Sequence, residues 1–174
     1  MTKPYPMQMA ERELDRAEAD KILEAGEYCV VSTVDADGTP YGIPLSYVMM
    51  DGRMFFHTGK RAGHKIDDFE RDPRVSIAVA TEVEPCYEET FFTTRFASVV
   101  AQGRISRVED SLILRKVLVA LCMKYLPQFK DEIGGAIERE FDTTEVWVVD
   151  FDEVRAKGGR RLQADEPKGS FDII

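Results

Sequence analysis

An Asp51-Gly52 pair between two apolar runs is the feature that most constrains how this chain can fold. The run before it, Pro40 to Met50, is rich in strand-forming residues, and Met54 to Phe56 after it reads as a returning strand. Asp-Gly at such a point favours a two-residue hairpin turn, because both central residues adopt positive φ. Consecutive antiparallel strands leave no room for the helices that a doubly wound parallel sheet requires between its strands.

Four further stretches have the composition of strands: Tyr28 to Val34, Val75 to Ala80, Thr93 to Val108 with a bend at Gly103, and Thr144 to Phe151. Pro40 and Pro44 each remove a ladder donor, so their strand is expected at an edge or a bulge. With the two strands of the hairpin, these stretches predict a mainly β fold, an antiparallel barrel of six strands with peripheral helices.

Helices and loops are predicted around these strands. A helix over Ala10 to Ala25, with Leu14, Ala17 and Ile22 on its apolar face, is expected to end at Gly26. Asp110 caps a predicted helix to about Tyr125, whose apolar side would contain Leu112, Leu114, Val117, Leu118 and Leu121. Lys130 to Phe141 predicts another helix after Pro127. Glu82 to Thr90 reads as a loop because it is acidic and contains Pro85, and residues from Arg155 onward read as a tail.

The segment from Gly59 to Lys65 combines three certain cations, one histidine and two glycines in seven residues. Apolar residues at helical spacing follow it. We therefore expect a short helix from about Gly63 to Asp72, because Pro73 disfavours the helical conformation in the residue before it. Free N–H groups and the helix dipole at such an N-terminus attract anions, and cationic side chains add to the attraction. The segment predicts a phosphate site.

Composition restricts the partners. The chain of 174 residues is long enough for one domain over residues 1–174, and its formal net charge is −9. This charge argues against nucleic-acid binding and against an anionic membrane surface, and no apolar run is long enough to span a bilayer. Three widely spaced cysteines indicate reduced thiols in a cytoplasmic protein. His57 and His64, with no Cys or Glu at ligand spacing, make a poor zinc site, so no metal is predicted.

Three segments, taken in order, carry a resemblance to a known family: Y-C-V-V-S-T-V-D-A-D-G-T-P-Y-G-I-P-L-S-Y-V, then F-F-H-T-G-K-R-A-G-H-K-I-D-D-F-E-R-D-P-R-V, then R-F-A-S-V-V-A-Q-G-R-I. They resemble the pyridoxamine 5′-phosphate oxidase-like split barrels that bind FMN. Within these, the chain is most similar to the branch of nitroimidazole-resistance or flavin-nucleotide-binding proteins. The similarity covers roughly residues 14–151, followed by a tail over residues 155–174. It implies a split barrel and a homodimer with FMN at the subunit interface.

The resemblance also implies roles for individual residues. It assigns the FMN phosphate to Lys60, Arg61, His64 and Lys65, and places His57 and Thr58 beside the ribityl chain and the phosphate. It assigns the isoalloxazine ring to the strand residues Pro44, Leu45, Ser46 and Tyr47, and places Ser98, Gln102 and Trp147 near the flavin. A copy of the oxidase's C-terminal substrate-binding segment is not recognisable, which argues against pyridoxamine phosphate as the substrate.

The sequence leaves alternatives open for several of these residues and for the function. Ser46 and Tyr47 are also compatible with ordinary strand residues, and Ser98 with a small core residue. His57 is either a structural histidine or the catalytic acid–base group that we assign, and Trp147 is either a core residue or a cofactor neighbour. The function predicted first is an FMN-dependent oxidoreductase that reduces a small substrate, a nitroaromatic among the candidates, with NAD(P)H. The alternatives are a flavin or haem carrier or sensor without turnover, and a deazaflavin-dependent reductase on the same fold.

Overall fold

The computed structural model describes residues 6–61, 63–88 and 90–159. The strands of this part are β1 (Glu13–Leu14), β2 (Tyr28–Val34), β3 (Pro40–Ser46), β4 (Val48–Met50), β5 (Arg53–Gly59), β6 (Arg74–Glu88), β7 (Phe91–Arg107) and β8 (Thr144–Gly158). Its helices are α1 (Arg16–Ala25), α2 (His64–Arg71), α3 (Ser111–Tyr125) and α4 (Ile133–Glu140). Short 3-10 turns occupy Ala10–Arg12, Pro127–Glu132 and Phe141–Thr143.

All of these strands belong to one curled antiparallel sheet. The strand order is β3-β2-β6-β7-β8-β5-β4, and β1 pairs with the last part of β8. β3 and β4 stand at the two ends of this order, although only Tyr47 separates them in the chain. The sheet therefore curls into a half-barrel. We call its upper end the one at which β2 and β5 finish and β6 and β8 begin, and its lower end the opposite one.

The predicted hairpin is confirmed, whereas the predicted count of six strands is not. Asp51 and Gly52 have the expected positive φ, 52° and 74°. The stretch Pro40 to Met50 is divided at Tyr47, because β3 pairs with β2 and β4 pairs with β5. The short strand β1 is a further addition that its two residues could not indicate.

Two strands run further than the sequence indicated. β6 continues through the expected loop as far as Glu88, with a register shift between Thr81 and Glu84. Pro85 is tolerated because the described part of β6 pairs at this point only with β7, so the strand is an edge. β8 includes Arg155 to Gly158, which were expected in the tail; residues 160–174 of that tail lie outside the described residues.

Two of the predicted helices begin later than expected. The first begins at Arg16, because Asp15 and Glu18 form a capping box there. Its buried residues are Ala19, Ile22 and Leu23, whereas Ala17 of the predicted apolar face is exposed and Leu14 belongs to β1. The helix expected from Lys130 begins at Ile133, because a 3-10 turn follows Pro127.

The other two predicted helices are confirmed. α2 lies between Gly63 and Asp72, and Asp110 caps α3 by accepting hydrogen bonds from two backbone N–H groups. Leu112 does not belong to the buried side of α3, because it is 69% exposed. No helix in the described part of the chain is long and apolar enough to cross a membrane.

The apolar residues form two clusters on the two faces of the sheet. The first fills the interior of the half-barrel and includes Phe56, Phe69 and Trp147. Helices α1 and α2 also contribute apolar side chains to this cluster. The second lies between the outer face of β4, β5 and β8 and the helices α3 and α4, around Phe55 and Val146. The outer face of β2, β6 and β7 keeps exposed apolar side chains, and this uncovered area is called the open face.

Gly26, directly after α1, lies where the backbone approaches the core most closely. A Cβ there would stand 2.4 Å from Val79 Cγ1 and 2.5 Å from the Tyr47 hydroxyl oxygen. We expect Gly26→Ala to lower the free energy of unfolding by about 1–3 kcal/mol, the usual cost of overpacking. Gly134 of α4 has nothing within 4 Å of such a Cβ, so Gly134→Ala should raise stability by up to about 1 kcal/mol. Urea unfolding of the wild type and both variants measures these changes. Equal free energies of unfolding for the two variants would contradict the close approach at Gly26.

Candidate functional site

The basic loop connects β5 to α2 at the upper end of the half-barrel. Its base is fixed, because the N–H of Lys60 donates to the carbonyl of Thr143 at 2.9 Å. Lys60 and Arg61 are exposed, and Lys65 is half-buried in the first turn of α2. The first N–H groups of a helix have no partner within it, and the helix dipole is positive there. The loop and the helix therefore bring cationic side chains and unbonded N–H groups to one place.

A buried carboxylate holds α2 in position. Asp68, 3% exposed, accepts hydrogen bonds from Thr33 Oγ1 at 2.7 Å and from Arg71 Nη2 at 2.8 Å. Burial alone would raise the pKa of Asp68, but the hydrogen bonds from Arg71 and Thr33 outweigh it and lower the pKa. Arg71 also donates to the carbonyl of Val34. These bonds tie both α2 and the direction of its N-terminus to the end of β2.

His64 is the first residue of α2, and its side chain faces the turn after β2. Its ring stacks on Tyr41, with centroids 3.9 Å apart, and its Nε2 is 3.5 Å from Asp68 Oδ2 and 3.8 Å from Asp35 Oδ2. These contacts attach α2 to the turn, whereas its predicted phosphate contact stays a prediction. Among the described residues, no group of three or more His, Cys, Asp or Glu side chains is placed to hold a metal ion.

His57 is accessible on the outer face of β5, in register with Val146 of β8. Partial burial of the imidazole and the charge of Lys65 lower its pKa, and Glu140 of α4 opposes them. A pKa below the ordinary value of 6.5 leaves the ring neutral at pH 7. His57 is therefore beside the basic loop in the protonation state that can accept a proton.

Three of the predicted cofactor residues have core side chains. Trp147 is 2% exposed, and its indole N–H donates to Thr58 Oγ1 at 3.1 Å. Tyr47 is fully buried, and its hydroxyl donates to the carbonyl of Leu23 at 2.5 Å. Of the two alternatives for Trp147, the structure supports the core residue. None of these three side chains offers a polar group to a ligand at the surface.

The remaining predicted residues lie on two separated parts of the sheet. On β3, Pro44 is exposed, Leu45 packs against the interior core, and Ser46 is half-buried. Ser98 is half-buried and Gln102 is exposed on the outer side of β7, which stands three strands from β3 in the order of the sheet. One protomer thus brings His57, Lys60, Arg61 and Lys65 together but does not bring Ser98 and Gln102 to them.

A polar row on the open face was missed by the sequence analysis. Ser32 of β2, Ser76 of β6 and Gln102 of β7 are directly paired across the strands. They line a groove of about 470 Å³ at the upper end of the open face, beside Arg74 and Arg104. Arg74 is bonded to Asp72, whereas Arg104 forms no ion pair within the described part of the chain. The alternation of side chains along each strand could have indicated that the two serines face outward. Only the pairing register of the strands places them beside each other and beside Gln102.

The described part of the chain is thus a curled antiparallel half-barrel in which a cationic loop leads into a short helix at the upper end. The sequence profile of the family described as pyridoxamine 5'-phosphate oxidase matches residues 15–158, and the chain belongs to this family. No curated protein sequence matches the chain.

Solved structures share the fold at low sequence identity. A candidate 5-nitroimidazole antibiotic resistance protein from Bacteroides thetaiotaomicron is 22% identical, with a TM-score of 0.69 over 84% of this chain and 86% of that one. An FAD-binding protein from Mesorhizobium loti is 22% identical, with a TM-score of 0.62 over 86% and 98%. A haem storage protein from Vibrio cholerae is 19% identical, with a TM-score of 0.59 over 83% and 94%. The resemblance to nitroimidazole-resistance and flavin-binding proteins is thereby confirmed for the fold.

The lowered pKa of His57 predicts a pH dependence of stability. Below about pH 6.5 the unfolded chain binds a proton at this imidazole more readily than the folded chain does. The free energy of unfolding should therefore decrease as the pH falls from 6.5 through the lower folded-state pKa, and then stay level for this group. We expect His57→Gln to remove this part of the decrease. Urea unfolding of both proteins at several pH values measures it, and identical pH profiles would contradict the lowered pKa.

Proposed function

We propose that this chain binds FMN through its basic loop and acts as a flavin-dependent oxidoreductase of a small substrate. The observation that carries the proposal is the meeting of Lys60, Arg61 and Lys65 with the N-terminus of α2. Phosphate groups are favoured where cationic side chains and helix N–H groups converge. The fold similarity to an FAD-binding protein supports a flavin in this role.

We further propose a homodimer with the cofactor at its interface. The open face carries exposed apolar side chains, among them Tyr28 and Val100, which are 59% and 53% exposed. In the described chain no helix packs over this face. A second copy placed there could bring Ser98 and Gln102 of one protomer to the basic loop of the other. This arrangement would reconcile their predicted flavin contacts with their distance from that loop along the sheet.

The chain's own groups have distinct tasks in this proposal. Lys65, Arg61 and the first N–H groups of α2 neutralise the phosphate, while Asp68 fixes the helix that presents them. The outer side of β3, around Pro44 and Ser46, provides a surface for the ring. Bound flavin would supply the electron transfer. His57, neutral at pH 7, would take up a proton from solvent and pass it to the small substrate as the substrate is reduced.

The second candidate function is a haem carrier or sensor without turnover. An accessible, neutral imidazole such as His57 is a suitable ligand for haem iron, and the fold is shared with a haem storage protein. A deazaflavin-dependent reductase is a third candidate, since the basic loop would serve its phosphate equally well. The absorption spectrum and mass of the copurified group separate the three, because flavin, haem and deazaflavin have distinct spectra.

Replacing Lys65 tests the phosphate assignment. Lys65→Ala should weaken FMN binding by roughly ten- to a hundredfold, because a charge-assisted phosphate contact contributes about 1.5–3 kcal/mol. The matched control is Lys21→Ala, an exposed lysine on α1. Titration of the apoprotein with FMN, followed by fluorescence quenching, measures both affinities. Unchanged affinity in a folded Lys65→Ala protein would refute the phosphate site.

Reduction of bound flavin by NAD(P)H separates an enzyme from a carrier. We expect the flavin absorbance to bleach under anaerobic conditions, and His57→Gln to slow steady-state turnover by about tenfold or more, the usual contribution of a positioned acid or base. The variant should keep its flavin content and its melting temperature at pH 7.5. Loss of stability with unchanged turnover per folded molecule would return His57 to a structural role. A complete lack of bleaching would favour the carrier.

A further inference from the structure

Arg107, the last residue of β7, joins three elements at the upper end of the half-barrel. Its Nη1 donates to Glu145 Oε1 of β8 at 2.6 Å, and its Nη2 donates to Glu70 of α2. The guanidinium also lies over the ring of Trp147, 5.1 Å from the ring centroid. One guanidinium can bond two carboxylates at once, because its N–H donors form a rigid planar fork. Arg107 therefore connects β8 and α2 directly.

The β8 end of this connection is fixed by buried groups. Glu145 is 8% exposed, and a carboxylate buried to this extent is costly without a cationic partner. It is in register with Thr58 of β5, whose hydroxyl oxygen accepts a hydrogen bond from the indole N–H of Trp147 at 3.1 Å. The carboxylate and the indole ring thus hold the guanidinium of Arg107 from two sides.

The beginning of β8 also holds the first part of the basic loop. Gly59 at the end of β5 is paired with Thr144, and the N–H of Lys60 donates to the carbonyl of Thr143. The same short stretch of chain therefore bonds the basic loop on one side and, through Arg107, the helix α2 on the other. The loop begins at β5 and ends at α2, so this stretch relates its two ends to each other.

The contact with Arg107 gives α2 a second anchor on its opposite side. Asp68 bonds Thr33 of β2, and Glu70 bonds Arg107. Two residues further along an α-helix correspond to a rotation of about 200° around its axis, so these two side chains leave the helix in nearly opposite directions. A helix that is anchored on one side can turn about that side, whereas anchors on two sides prevent the turn. Glu70 and Arg107 therefore fix the direction of the helix N-terminus relative to β5.

We propose that Arg107 is a positioning residue for the phosphate site. It holds α2 at a fixed distance from the end of β5, so that Lys65 and the N–H groups of the helix meet the cations of the loop around one phosphate. Contacts to a charged group depend strongly on such placement. The inference rests on the proposed function, because it concerns the same site. It goes beyond that function by assigning a task to a residue that does not touch the ligand, since both of its terminal nitrogens bond carboxylates.

The first test is Arg107→Lys, which keeps the positive charge but loses the fork that bonds two carboxylates. Fluorescence quenching measures the affinities for FMN and for riboflavin, which lacks the phosphate. The ratio of the two affinities isolates the phosphate contribution and does not depend on the fraction of protein that is folded. Arg107→Lys should lower this ratio by about three- to tenfold. The matched control is Arg115→Lys, because Arg115 also bonds a carboxylate, Glu138, and stacks on an aromatic ring, but away from α2. A ratio equal to that of the control would overturn the proposal.

The second test is Glu70→Gln, which removes the helix end of the connection. The Glu70 side chain is 56% exposed, so the variant should keep its fold. By charge alone, loss of a carboxylate from α2 would strengthen phosphate binding. Loss of the anchor should instead lower the ratio of FMN to riboflavin affinity, so the two explanations predict opposite signs. Glu138→Gln, which removes the partner of Arg115, is the control and should leave the ratio unchanged. An equal or higher ratio in Glu70→Gln than in the wild type would overturn the proposal.

The failure of the proposed function gives a different pattern. If the wild type binds neither flavin, or binds both equally tightly, the phosphate assignment is wrong and the role of Arg107 is refuted with it. If the wild type prefers FMN and Lys65→Ala removes the preference, the phosphate site stands. Variants of Arg107 and Glu70 that keep the full preference would then refute the positioning role alone.

Discussion

The closing of the half-barrel at Tyr47 is the constraint on which the rest of the structure depends. Before this residue β3 pairs with β2, and after it β4 pairs with β5. The Tyr47 backbone between them therefore has no partner in either pairing. The hydroxyl of Tyr125 replaces the ladder by accepting from the Tyr47 N–H at 2.9 Å, and it lies 3.0 Å from the Tyr47 carbonyl oxygen. The neighbouring Lys124 donates to the Gly26 carbonyl and lies over the Tyr47 ring. The C-terminal end of α3 thereby fixes both α1 and the junction between β3 and β4.

At the other end of the half-barrel, the placement of α2 determines what the basic loop can do. Asp68 attaches the helix from inside through Thr33, while Arg71 bonds the end of β2 and His64 contacts Asp35 and Tyr41 at the surface. Arg107 adds a further connection, since it bonds both Glu70 of α2 and Glu145 of β8. A cationic loop on an acidic protein gains a fixed direction from these contacts, because its helix cannot rotate without breaking buried hydrogen bonds.

The predicted site residues divide according to the face of the sheet on which they lie. Inward positions such as Tyr47 and Trp147 serve the core, while outward positions such as His57 and Gln102 remain available at the surface. The alternation of β-strands makes this division strict, since neighbouring residues point to opposite faces. A run such as Pro44 to Tyr47 therefore cannot present all of its side chains to one ligand.

The sequence by itself determined the elements whose cause is local. The Asp51-Gly52 turn, strand β2, the capped helix α3 and the basic loop before α2 follow from turn chemistry, β-branched composition and capping residues. Only the tertiary structure decided the length of β6 and β8, the division of the sheet at Tyr47 and the alignment of Ser32, Ser76 and Gln102. These features depend on strand pairing between distant residues, and pairing partners leave no signal in the segments themselves. Pro85 illustrates the reason. In an acidic segment a proline indicates a loop, but it is tolerated here in a strand that pairs on one side only.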